Sequence, residues 1–128
     1  MPRDPNIPDA FDVFTLVILR RPPDPPDFTD AELDDLQAAH LAYRAGLKRD
    51  GLLIVNGPFR EQTDVSLRGM SIFACGLDEA ARLNDADPMV QARRLSYDLM
   101  EWWVAADYSL AFTEADGLIG DQRAMPDD

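Results

Sequence analysis

The chain has 128 residues, 46% of them hydrophobic and 28% charged, which describes one folded domain large enough to bury a core. Its 24 acids against 12 Lys and Arg leave a net charge of −12, a field that repels phosphate backbones and anionic lipid and argues against nucleic-acid or membrane partners. The lone cysteine, Cys75, cannot close an internal disulfide, and no apolar run reaches membrane-spanning length, so the expected location is the cytoplasm.

Residues 1–11 hold three prolines and two aspartates and read as a loose arm. Val13 to Arg20, VFTLVILR, is rich in β-branched and aromatic residues, which predicts a strand. Arg21 to Asp27, with four prolines, predicts a loop because each proline lacks an amide donor. Thr29 followed three residues later by Glu32 is a capping box. It opens a helix whose buried stripe is Leu33, Leu36, His40, Tyr43 and Leu47, at alternating spacings of three and four. Gly51 supplies its stop. The only histidine therefore lies on the inward face.

Leu52 to Asn56 predicts a second strand, ended by Gly57 and Pro58. Leu67 to Cys75 predicts a third, in which Gly69 marks a bulge or a close backbone approach. Leu77 to Ala86 reads as a helix with Gly76 as N-cap. Pro88 opens another short helix, Met89 to Arg94. Leu95 to Val104 predicts the last strand, and residues 105–128 read as an acidic tail with five acids from Glu114 on. The expected domain thus spans 12–104.

The order β-α-β-β-α-β predicts an α+β fold, the ferredoxin-like sandwich. An antiparallel sheet with helices on one face should alternate apolar and polar residues. Here Phe14, Leu16 and Ile18 oppose Val17 and Leu19, so both faces are apolar. A second copy of the same sheet is the simplest cover, which predicts a two-fold homodimer.

HLAYRAGL (40–47), NGPF (56–59), RGMSIF (68–73) and NDADPMVQARRL (84–95) together resemble the YCII-related domain family in order and spacing. The resemblance implies a ferredoxin-like fold dimerised as an α+β barrel. It also implies an active-site pair, a His from the first helix and the Asp of the D-x-D-P stretch, which fall on His40 and Asp87. Lyase or dehydrohalogenase-like chemistry on a small molecule, with no cofactor, is what it implies for function. One departure stands out. The family usually carries Gly shortly after the Asp-Pro, where this chain has Arg93.

An Asp accepting from one ring nitrogen fixes the tautomer and leaves the other nitrogen as a base. No Ser or Cys stands in a nucleophile motif, and one His without a His or Cys partner at ligand spacing argues against a metal site. Arg20, Gly57, Pro58 and Arg68 are candidate substrate contacts. For Arg20, Arg68 and Arg93 a solvated or structural role weighs equally. On local grounds alone Asp87 reads as an N-cap, and a lone His on a helix stripe as a bonded core residue. Two functional classes follow: a small-molecule catalyst using His40 oriented by Asp87, or a non-catalytic dimer that binds a ligand. The first requires His40 on a cleft; the second is satisfied by a sealed one.

Overall fold

The computed structural model describes residues 4–108. The element order is β1 (Phe11–Arg20), α1 (Asp30–Arg49), β2 (Leu53–Pro58), β3 (Leu67–Phe73), α2 (Leu77–Asp85), α3 (Pro88–Gln91) and β4 (Ser96–Ala105). The strands form a single four-stranded sheet in the order β2-β3-β1-β4. It is a small α+β fold consistent with the ferredoxin-like expectation. The last strand takes in Ala105, residues 106–108 are helical, and the rest of the expected acidic tail lies outside the described residues. Among the described residues no helix is long and apolar enough to cross a membrane.

Two compact units can be distinguished. The larger, Val13–Trp102, holds α1, α2, α3 and the site described below. The smaller brings residues 4–12 together with 103–108. Within it the Phe11 and Trp103 rings lie 5.8 Å apart in a tilted arrangement, and the Ala106 amide donates to the Ala10 carbonyl at 3.1 Å.

In the larger unit, β3 runs antiparallel to both β1 and β2. Ser71 stands opposite Val17 on one side and Asn56 on the other; Gly69 stands opposite Leu19 and Pro58. Gly69 is a close approach: a Cβ there would lie 2.8 Å from the Gly57 carbonyl oxygen. The β1–β3 register also shifts between Leu19 and Arg20, so the bulge expected near Gly69 is present as well. Pro58 is tolerated because β2 is an edge strand. Val17, Leu53 and Phe73 from the strands pack with Leu47 of α1 and with Ala80 and Leu83 of α2 to form the core. By the strand alternation, Phe14, Leu16, Ile18 and Ile72 point to the opposite face, which is apolar as the sequence predicts.

Helix α1 starts as written in the sequence. The Thr29 side chain accepts from the Glu32 amide at 3.1 Å, and Glu32 accepts from the Thr29 amide at 3.0 Å. It ends in a Schellman motif. The Leu52 and Gly51 amides donate to the Leu47 and Lys48 carbonyls, with Gly51 at φ 77. Helix α3 ends in the same motif, the Arg94 and Arg93 amides donating to the Met89 and Val90 carbonyls. Here the left-handed residue is Arg93, at φ 59. That accounts for the glycine expected near this point from the resemblance: the backbone asks for a residue without a Cβ. Replacing Arg93 by Gly should therefore raise stability by about 0.5–1 kcal/mol, relief of left-handed strain being partly offset by a freer unfolded chain. Denaturant titration of the variant checks it, and unchanged or lower stability would contradict the strain argument.

Candidate active site

His40 leaves α1 on its inward face and meets Asp87, the residue that caps α3. Its Nδ1 lies 2.9 Å and 2.8 Å from the two carboxylate oxygens. Asp87 is fully buried. A carboxylate can only accept, so Nδ1 is the donor, and the neutral ring carries its lone pair on Nε2. The reading of Asp87 as an N-cap also holds, since Oδ1 accepts from the Met89 amide at 2.9 Å. Pro88 has no amide to offer, which leaves Met89 as the first donor of that turn.

Behind this pair lies a residue that the sequence reading passed over. Arg44 is 1% exposed, and all five of its N–H groups are bonded. Nη1 donates to Asp87 Oδ2 at 2.8 Å and to Asn84 Oδ1 at 3.2 Å. Nη2 donates to Ser71 Oγ at 2.9 Å and to the same Asn84 oxygen at 3.2 Å, while Nε reaches Asn56 Oδ1 at 3.1 Å. Ser71 Oγ in turn donates to Asn56 at 2.7 Å, and the Asn84 amide to the Ala80 carbonyl at 2.8 Å. The guanidinium also sits 5.6 Å from the Phe73 ring centre, within cation–π range. The spacing held a signal: position 44 is four after His40 and three before Leu47, on the same stripe.

Burial pushes the Asp87 carboxyl up. The His40 hydrogen bond and charge, the Met89 amide and the Arg44 guanidinium outweigh it and hold the group below the ordinary carboxylate range. Burial pushes Arg44 down from its usual value, against the opposing pull of the Asp87 charge and hydrogen bond.

A cavity of about 210 Å³ opens beside the pair, with His40, Asn56, Gly57, Pro58, Arg68 and Met89 on its wall. Asp87 is not on that wall; the histidine stands between it and the space. Of the expected substrate contacts, Gly57, Pro58 and Arg68 therefore share a cavity with His40, and Arg20 does not. Arg20 donates from Nε to Asp98 Oδ2 at 2.6 Å, with Asp64 3.7 Å from Nη1. Arg93 is likewise absent from this wall, its position being fixed at the end of α3. Among the described residues no group of three or more His, Cys, Asp or Glu is placed to hold a metal ion.

The chain thus carries a buried acid–imidazole pair on a small α+β scaffold, and its sequence places it in a family. The YCII-related domain family matches residues 15–103, and the chain belongs to that family. No curated protein matches it. Among solved structures it is similar to 5-chloro-2-hydroxyhydroquinone dehydrochlorinase (TftG) from Burkholderia phenoliruptrix AC1100, in complex with 2,5-dihydroxybenzoquinone. That likeness has 24% identity and a TM-score of 0.51, covering 70% of this chain and 92% of the other. At this identity it supports the fold.

Removing the Asp87 charge strands Arg44 in the interior, so Asp87→Asn should cost about 3–5 kcal/mol at neutral pH. The pH dependence has a definite sign. With its folded pKa depressed, Asp87 contributes stability that is complete above the unfolded value of about 3.9 and is lost as pH falls through the folded value. Denaturant titrations between pH 7 and pH 2 should show this acid-side loss in the wild type and its reduction in Asp87→Asn. Parallel profiles would separate Asp87 from acid denaturation.

Proposed function

We propose that the protein is a small-molecule lyase of the dehydrohalogenase type, with His40 as general acid–base and Asp87 as the group that orients it. The observation that carries this reading is the pairing of Nδ1 with a fully buried carboxylate while the same imidazole lines a cavity. A histidine that served packing alone would need no space beside it. In the reaction, Nε2 takes a proton from the substrate, the electrons left behind form the new double bond, and the leaving group departs as an anion with its bonding pair. The imidazolium stays paired with Asp87 and returns its proton to solvent. Atoms and charge balance as loss of HX, and no oxidant is required. The arrangement supports general acid–base assistance on the order of 10²–10⁴-fold.

The activity of the similar structure supplies a probe. Chloride release from 5-chloro-2-hydroxyhydroquinone should be measurable with the wild type and fall by about 10²–10⁴-fold in His40→Asn. That variant loses one hydrogen bond to a charged partner, about 1.5–3 kcal/mol, and should remain folded. Equal release by both proteins would remove His40 from the chemistry.

We also propose that the protein works as a homodimer covering the apolar sheet face that carries Leu16 and Ile18. Both are only half-buried within the chain, and Met100 is 40% exposed. Light scattering at micromolar concentration should report twice the chain mass; the mass of one chain would refute the pairing.

A further inference from the structure

The cavity beside His40 belongs to a chain of net charge −12. Its ionisable wall residues nevertheless are His40, Arg21 and Arg68, with no carboxylate among the described lining residues. Arg21 follows β1 and is tied down by its backbone, the amide donating to the Ser66 carbonyl at 2.8 Å. Its Nε is buried and has no hydrogen-bond partner among the described residues. Arg68 makes one long side-chain contact, Nη1 to the Val65 carbonyl at 3.3 Å. Gln37, one turn before His40 on α1, adds an amide to the same wall.

Buried guanidinium donors are normally satisfied, because an unpaired one has lost its water and gained nothing in return. The charges around Arg21 sharpen the point. Burial lowers its pKa first, and the neighbouring guanidiniums of Arg94 and Arg68 lower it further. Three like charges gathered at a partly dry site repel one another until an anion joins them.

We propose that the cavity takes a small organic anion, its carboxylate or ionised hydroxyl held between Arg21 and Arg68 and its reacting carbon turned toward His40. This rests on the reading of His40 as the base and names the class of substrate it serves. The chemistry is consistent with that placing. Taking a proton from carbon pushes charge onto a conjugated oxygen, and fixed cations at that oxygen hold the developing charge.

The single histidine is a reporter of its own site, since its ring signals in ¹H–¹⁵N spectra need no assignment among others. Titration of the full chain with benzoate should shift the His40 ring signals saturably, and titration with the neutral isostere benzamide should not. Arg21→Gln and Arg68→Gln should each weaken benzoate binding by about tenfold or more, whereas Arg20→Gln, at an ion pair away from this wall, should bind as the wild type does. Should Arg21→Gln fail to fold, the exposed Arg68 still carries the comparison. Benzamide binding as tightly as benzoate, wild-type affinity in both arginine variants, or no saturable response to benzoate at millimolar excess would each overturn the anion site. Calorimetry on His40→Asn separates the two readings. Benzoate binding retained without turnover in any variant leaves the anion site standing and removes the catalytic role. Turnover that depends on His40 but is not inhibited by benzoate does the reverse.

Discussion

The ion pair between Arg44 and Asp87 is the interaction on which this site depends. Both groups are out of water, and neither could be buried alone. What makes the pair tolerable is that all five guanidinium N–H groups and both carboxylate oxygens are hydrogen-bonded. Asn56 and Ser71 meet the guanidinium from two neighbouring strands, Asn84 meets it from α2, and His40 and the Met89 amide complete the carboxylate. One helix, two strands and two short helical segments are thus joined at a single polar node beneath an apolar core. The imidazole is the outermost member, and it alone of the His40–Asp87–Arg44 chain lines the cavity.

This arrangement gives Asp87 two partners. It is the counter-ion to the permanent charge of Arg44, and it fixes the His40 proton on Nδ1. A carboxylate has four accepting positions, enough for the arginine, the histidine and the Met89 amide together. Behind the carboxylate stands the permanent positive charge of Arg44, 2.8 Å from Oδ2.

Much of this was legible in the sequence because the signals were local. The capping box at Thr29 and the glycine at position 51 mark both ends of α1, and Asp87-Pro88 announces the start of α3. Gly69 stands out as a residue doing something a side chain would prevent, and Arg93 as a cation where a glycine is expected. Where strand ends moved it was by one or two residues, as when β2 ran on through Gly57 and Pro58, because edge pairing tolerates what propensity disfavours. Arg44 was not legible for a physical reason. Hydrophobic periodicity counts a charge as evidence of solvent, and whether an arginine inside the stripe is buried depends on acceptors contributed by distant segments. Asn56, Ser71 and Asn84 lie 12, 27 and 40 residues away along the chain. No local pattern joins them, so the node exists only once the sheet has been paired. Arg20 shows the converse case, a cation at a strand end that tertiary structure claims for Asp98.

Met89 belongs to two structures at once. Its side chain is part of the cavity wall, and its backbone amide holds the carboxylate that aims the imidazole. The turn that carries it is four residues long and capped at both ends. A guest too bulky for the space presses on the same turn that holds Asp87 and so aims the imidazole. The shape of this wall and the direction of the ring are therefore mechanically linked.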